Sequence, residues 1–244
     1  MNKSKVFIGI IAICLAIGVF ERLLYCIRYP VMVRDSYIYF NIIKEWNATG
    51  QFRTEGTLPP LSLYLLRIPS HFFSYDIMKG GVLVNVLFGI AIIALSILIV
   101  HCICNKLVVD FIFGILVSTH PTLVYYSCQM TRENSYLLFV FLSCLTLIIG
   151  IQKNRMIYFM LTGLFSAATY LCRHEALELI PITVLTIVFF GEKKVWFACI
   201  TRILVFMLFY AVSFALITHL IGIPMQYYYG YYEEFENKTL DIEL

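Results

Sequence analysis

Three short stretches of this sequence set acidic and basic side chains side by side: Arg34-Asp35, Arg132-Glu133 and Arg173-His174-Glu175. A carboxylate in such a setting can take a proton from a hydroxyl or hold a metal, and an arginine can grip a phosphate through paired N–H donors. Each pair reads equally as a loop charge or as a lock on a helix end. Glu178 follows Glu175 on the same helical face. His120 stands before Pro121 and reads either as a packing histidine or as a ligand. Cys102 and Cys104 lack a second ligand pair, so no zinc site is expected. The eight cysteines are scattered through apolar runs and read as buried free thiols.

The elements that must position these residues are membrane helices. Of the 244 residues, 61% are hydrophobic and 14% charged, whereas a soluble domain runs nearer half apolar and a quarter charged. A soluble enzyme, a disordered tail and a nucleic-acid-binding domain are excluded on that ground. The net charge of +3 is too small to suggest a polyanion partner. The expected fold is all-α, a polytopic membrane helix bundle in one module over residues 1–244. A crossing helix needs about 20 apolar residues, and about seven candidates lie near 6–27, 81–104, 107–125, 135–151, 156–172, 176–190 and 197–223. The first is too long for an ordinary signal peptide and lacks a small-x-small cleavage site, so it reads as a retained helix.

Lys3, Lys5, Lys106, Lys153, Arg155, Lys193 and Lys194 all fall on one side if every candidate crosses. That side is then cytoplasmic, with the amino terminus inside and the acidic tail, 233–244, outside. The aromatic run 226–232 suits an interfacial belt. The three charged stretches occupy three separate outer connections, where they can line one cavity. The first connection, roughly 28–79, holds a helix of about four turns ending at Gly50, with Tyr37, Phe40 and Lys44 aligned. Asp35 or Ser36 stands at its amino-terminal end, where free N–H groups hold anions, or Asp35 is simply the cap. The stretch 58–73 is amphipathic and aromatic, and reads as an interfacial helix. Glu21-Arg22 reads as an intrahelical or interhelical pair. The arms flanking Arg173-His174-Glu175 have roughly 17 and 15 apolar residues. The bend then falls below the membrane surface, where ionisable groups mark function, or the bilayer thins and Arg173 snorkels outward. Asn47-Ala48-Thr49 and Asn237-Lys238-Thr239 match the glycosylation pattern, which matters only in a secretory pathway.

Taken in order, these stretches resemble the GT-C-fold integral membrane glycosyltransferases. The nearest set is protein-mannosyltransferase-like, with the lipid A aminoarabinose transferases and Rgt-type lipopolysaccharide glycosyltransferases. RDSYIYFNIIKEWNATGQF followed by LPPLSLYLL resembles their first external loop, with Asp35, Gly50 and Pro59-Pro60-Leu61 as its marks. THPTLVYYSCQMTRENSYLLFVFL resembles their second signature, through His120, Pro121 and Glu133. GLFSAATYLCRHEALELIPI resembles their Gly-rich helix ending in Arg-x-Glu-Ala, through Gly163, Arg173, Glu175 and Ala176.

The resemblance implies transfer of a sugar from a polyprenyl-phosphate-linked donor to a glycan, lipid or protein acceptor on the extracytoplasmic face of a plasma (inner) membrane. It makes Asp35 the catalytic carboxylate, with Glu133 shaping the acceptor or metal region. Arg173 and Arg132 would neutralise the donor phosphate. Arg34, His120, His174 and Glu175 would support the acceptor. Relatives have an acidic residue after the first aspartate, and here it is Ser36. They also have a lysine before Pro-Pro-Leu; here it is Leu58, and Arg53 or Arg67 would have to reach the phosphate instead, although neither matches by position. No cofactor is named by the motifs, and a divalent metal is compatible with them. Membrane lipids are expected partners and nucleic acid is not. Relatives are longer, so a fragment, a minimal form and a non-catalytic paralogue all stay open. The other functional readings are a transporter or flippase for a lipid-linked solute, and a non-catalytic membrane subunit.

Overall fold

A computed structural model of the chain describes residues 3–29, 33–52, 58, 60–191 and 196–222. Arg53, Pro59, Lys193, Lys194, the aromatic run 226–232 and the tail with Asn237 lie outside the described residues. The described chain is helical throughout: α1 (Lys3–Arg28), α2 (Arg34–Thr49), α3 (Pro60–Phe73), α4 (Ile77–Cys104), α5 (Leu107–Thr119), α6 (Pro121–Ser127), α7 (Glu133–Lys153), α8 (Met156–Cys172), a 3-10 helix (His174–Glu178), α9 (Leu179–Phe190) and α10 (Trp196–Ile221). Among the described residues there is no strand. Several helices stop where the backbone turns left-handed or where a proline removes a donor. Asn105 and Asn154, at φ 50° and 51°, end α4 and α7, and Gly50, at φ 70°, ends α2. Pro121 opens α6 after a break at His120.

Helices α1, α4, α7 and α10 are long and apolar enough to cross a membrane. The pair α5 and α6, bent by 54°, adds a fifth if it forms one broken span. Helix α8 has 17 residues and α9 has 12. At about 1.5 Å per residue α9 reaches only ~18 Å, against a hydrocarbon core of about 30 Å. The sequence-based tally of seven counts these two short helices as separate crossings.

Helix α8 lies between α7 and α10. Hydroxyl pairs tie it to α7, Ser143 with Ser166 at 2.8 Å and Thr146 with Thr162 at 3.0 Å. Gly163 lets the α10 backbone come close, since a β-carbon there would stand 2.6 Å from the Phe206 carbonyl oxygen. Small residues and hydroxyls at helix contacts are what apolar surroundings favour, because burying more hydrocarbon yields little there.

Helix α4 carries the other half of the bundle on a stripe of small and polar residues one turn apart: Gly81, Asn85 and Gly89. The segment from Ser127 to Thr131 lies along that stripe. Met130, fully buried, rests on Gly81, where a β-carbon would come within 2.7 Å of it. The Asn85 amide donates to the carbonyls of Gln129 (2.6 Å) and Thr131 (2.8 Å). Ser127 sits against Gly89 and accepts from Arg22 Nε (3.0 Å) and Asn134 Nδ2 (3.0 Å). Asn134 also donates to the Asn85 carbonyl (2.8 Å), which closes the network. Arg22 is 1% exposed. Its remaining donors reach the carbonyls of Gly18 (3.0 Å), Ser118 (3.4 Å) and Gly89 (3.5 Å). The expected Glu21–Arg22 ion pair does not form among the described residues, because the guanidinium points inward to these oxygens.

Helices α2 and α3 occupy the first long connection. Helix α2 buries Ser36, Tyr39, Ile43 and Trp46, spaced three and four apart. The aligned Tyr37, Phe40 and Lys44 lie on the opposite, more exposed side, with Tyr37 and Phe40 stacked at 6.4 Å. Helix α3, expected at an interface, buries Leu61, Leu63 and Leu66 in one protein core with Tyr39, Ile43, Met130 and Leu171. Asp35 is not the cap of α2. The helix begins at Arg34 and Val33 holds the cap position, its N–H donating to Gln129 Oε1 (3.3 Å).

The α4 stripe gives a direct check. A β-carbon on Gly89 meets the Ser127 hydroxyl and lies 2.8 Å from Arg22 Nε, whereas one on Gly9 meets nothing within 4 Å. Gly89→Ala should destabilise the purified protein by about 1–3 kcal/mol. Gly9→Ala should be neutral or stabilising by up to about 1 kcal/mol. Detergent unfolding curves of the two variants read the difference.

Candidate functional site

Three connections meet at one end of the bundle, the end that carries α2 and α3. They are the start of α2, the segment leading into α7, and the 3-10 helix after α8. Their meeting point is Tyr39, one turn after Asp35 on α2 and 3% exposed. Burial pushes the Tyr39 phenol up to about 12, with Arg132 and Arg173 drawing it down and Glu133 and Asp35 raising it. The side chains of Asp35, Arg132, Glu133 and Arg173, from three separate connections, therefore stand within electrostatic reach of one ring.

These groups differ in how they are held. Arg173 donates to Glu175 Oε2 at 3.3 Å and lies over the Tyr136 ring at 5.6 Å. Burial raises the Glu175 carboxyl, but its own N–H and the charges of Arg173 and Arg132 outweigh this and hold it low. That pair thus locks the start of the 3-10 helix. Arg132 is half-buried, and its guanidinium makes no hydrogen bond or ion pair among the described residues. Its backbone is firmly placed, since its carbonyl accepts from the Tyr136 N–H (3.0 Å) and lies 2.8 Å from the Ser135 hydroxyl. Ser135 bonds to Ser62 of α3 (2.8 Å), and Ser62 donates to the Cys172 carbonyl (3.2 Å). This chain of hydroxyls joins all the elements that carry the site except α2. Glu133 has one carboxylate oxygen, Oε2, buried without a hydrogen-bond partner among the described residues, as is the Ser36 hydroxyl. A buried oxygen in that state calls for water or a ligand atom.

Asp35 is exposed and makes no hydrogen bond among the described residues. Arg34 is likewise exposed and unbonded. His120 stands exposed on the α5–α6 bend, and nothing links its side chain to Tyr39. Arg67 has a different task from the one the motif implies. It is 8% exposed, donates to Asn47 Oδ1 (2.7 Å), bonds His71 Nδ1 (3.0 Å) and lies 4.4 Å over the Trp46 ring. It clamps α3 to α2. The same clamp engages the Asn47 amide nitrogen, which donates to Ser70 (3.1 Å), so this glycosylation match is part of the fold. Among the described residues no group of three His, Cys, Asp or Glu side chains is placed to hold a metal ion. All eight cysteines are free.

Sequence reasoning missed Tyr39, Ser62, Ser135, Asn85 and Asn134. Asn85 was the most legible of these, since a lone amide inside an apolar span is costly unless bonded. Its flanking glycines at four-residue spacing mark the seat of a neighbouring segment. No protein-family model matches this chain, and neither does any curated protein.

His174 packs against Tyr170, ring centroids 5.3 Å apart. Burial holds its imidazole below the usual range; Glu175 opposes this and Arg132 adds to it. A histidine with a depressed folded pKa stabilises the fold above its unfolded value of about 6.5 and loses that contribution as pH falls through the folded value. Melting temperature should therefore drop between about pH 7 and pH 5, and His174→Phe should flatten the drop. An equal drop in the variant would assign the acid sensitivity elsewhere.

Proposed function

We propose that this chain is a membrane glycosyltransferase of GT-C type, transferring a sugar from a polyprenyl-phosphate donor to a glycan, lipid or protein acceptor on the extracytoplasmic face. In this reading α8 and α9, with the bend between them, take part in a seven-crossing arrangement, and the end carrying α2 and α3 faces outward. The observation that supports it best is the meeting of Asp35, Arg132, Glu133 and Arg173 around Tyr39. A base, a second carboxylate and two cations on one face are the groups that an acceptor hydroxyl and a departing phosphate require.

Asp35, exposed and unbonded, takes the proton of the acceptor hydroxyl. The hydroxyl oxygen attacks the anomeric carbon, and the bond from that carbon to the phosphate oxygen breaks. The phosphate leaves with the electron pair, and the configuration inverts. Arg132, whose donors are uncommitted, meets the phosphate, while Arg173 adds charge from its fixed place beside Glu175. The partnerless Glu133 oxygen suits an acceptor hydroxyl. The transporter reading is less well supported. The buried cation of the first span, Arg22, has its donors committed to protein oxygens, so that charge is not open to a passing solute.

Transfer of radiolabelled sugar from polyprenyl-phosphate donors in membranes tests the reading. Asp35→Asn should lower transfer by about 10²–10⁴-fold, the range for loss of a general base. Because Asp35 is exposed, the same change should leave stability within about 0.5 kcal/mol of wild type. Transfer that persists in the variant, or no transfer from any donor by the folded wild type, would sink the proposal.

A further inference from the structure

The end of the bundle opposite Tyr39 holds a separate cleft. It lies where the start of α1, the end of α4 and the start of α5 meet, and has a volume of about 780 Å³. That is within the span of small-molecule sites, about 300–1,000 Å³. Lys3, Ser4, His101, Asn105 and Lys106 supply its polar lining, and Phe7, Leu107, Val108 and Val109 its apolar wall. We infer that this cleft binds the headgroup of an anionic phospholipid from the leaflet at this end, with the phosphate between Lys3 and Lys106 and the acyl chains along α5.

Charge is the first support. Asp110, the acidic side chain beside the cleft, is fully buried and bound to His101 Nδ1 at 2.7 Å. Phe7 stacks on that imidazole at 4.1 Å. Lys3 and Lys106 are both exposed, and neither has a carboxylate partner among the described residues. The cleft therefore presents two lysine ammonium groups that have no carboxylate partner among the described residues. The free N–H groups of the first turn of α5, whose cap position Lys106 makes no side-chain cap bond, add to its preference for an anion.

Shape is the second support. Val108 is 71% exposed and Ile112, one turn further along α5, 55% exposed. An apolar track thus leads from the charged mouth down the outside of a helix read as membrane-embedded. A headgroup held by lysines with its chains on such a track is how a basic site between membrane helices meets a phospholipid. A soluble phosphate compound would have no use for the track.

The test uses the full-length protein in nanodiscs of phosphatidylcholine with or without phosphatidylglycerol, with retained lipid counted by native mass spectrometry after detergent exchange. Wild type should retain phosphatidylglycerol over phosphatidylcholine. Lys3→Gln with Lys106→Gln should weaken retention about thirtyfold, at about fivefold per lysine near a charged headgroup. Lys3→Arg with Lys106→Arg should restore it. Lys153→Gln with Arg155→Gln, which removes the same charge outside the cleft, should leave retention within about twofold of wild type. Equal loss in that control would reduce the effect to diffuse attraction and overturn the site. So would no lipid preference in wild type. Full displacement of the lipid by inorganic phosphate would also overturn it, in favour of a free-anion site.

Discussion

In a chain this apolar, the costliest error is a buried polar group without a partner. The donors of Arg22, Asn85 and Asn134 are met by the Ser127 hydroxyl and by backbone carbonyls, while the amide oxygens of Asn85 and Asn134 have no partner among the described residues. Arg22 brings a cationic side chain into the first span and meets no carboxylate among the described residues. Its donors end on the Ser127 hydroxyl and on carbonyls of three other positions. Ser127 and Asn85 then fix the segment that follows α6, and Asn134 ties the first turn of α7 to both. Removing one member would strand the others, which is why such a network behaves as a unit. Its consequence lies at its edge: Arg132 and Glu133 immediately precede Asn134, so the network sets where their backbone lies.

The site at the α2–α3 end inherits its geometry from that network and from a second one built of hydroxyls. Ser62 and Ser135 connect α3 to α7 and reach the last carbonyl of α8. Arg67 joins α3 to α2 through Asn47 and Trp46. Tyr39 therefore faces three connections whose relative positions are set by buried bonds, and its burial among charges of both signs follows. The two arginines beside it are not equivalent. Arg173 already answers to Glu175, and Arg132 answers to no side chain among the described residues. A ligand anion arriving at this face meets one committed and one uncommitted guanidinium.

Much of this was legible in the residues. The all-helical membrane class followed from composition, and the helix in the first connection from its spacing and from Gly50. That the charged pairs fall in three separate connections was legible from the helix pattern, but that Asp35, Arg132, Glu133 and Arg173 share Tyr39 as a neighbour was not. Other features were not legible, for physical reasons. Arg67 looks like a phosphate ligand by type, and only packing against Trp46 and Asn47 shows its donors to be occupied. Tyr39 and Tyr37 are indistinguishable until one knows which face of α2 meets the core. The region from Met156 to Phe190 is apolar enough to suggest two crossings, but a 3-10 turn divides it into helices of 17 and 12 residues. Glu21 and Arg22 suggested an intrahelical or interhelical ion pair, and only the packing shows that Arg22 bonds to a hydroxyl and carbonyls instead.

The central claim is that the three connections stand together around position 39. Replacing Tyr39 by the photo-crosslinker benzoylphenylalanine in native membranes tests it most directly, with the linked peptides identified by mass spectrometry. The account predicts links to both the 128–134 segment and the 172–175 segment, with the first set weakened when Asn134→Ala loosens the network behind it. Links to lipid alone, or to neither segment, would contradict it.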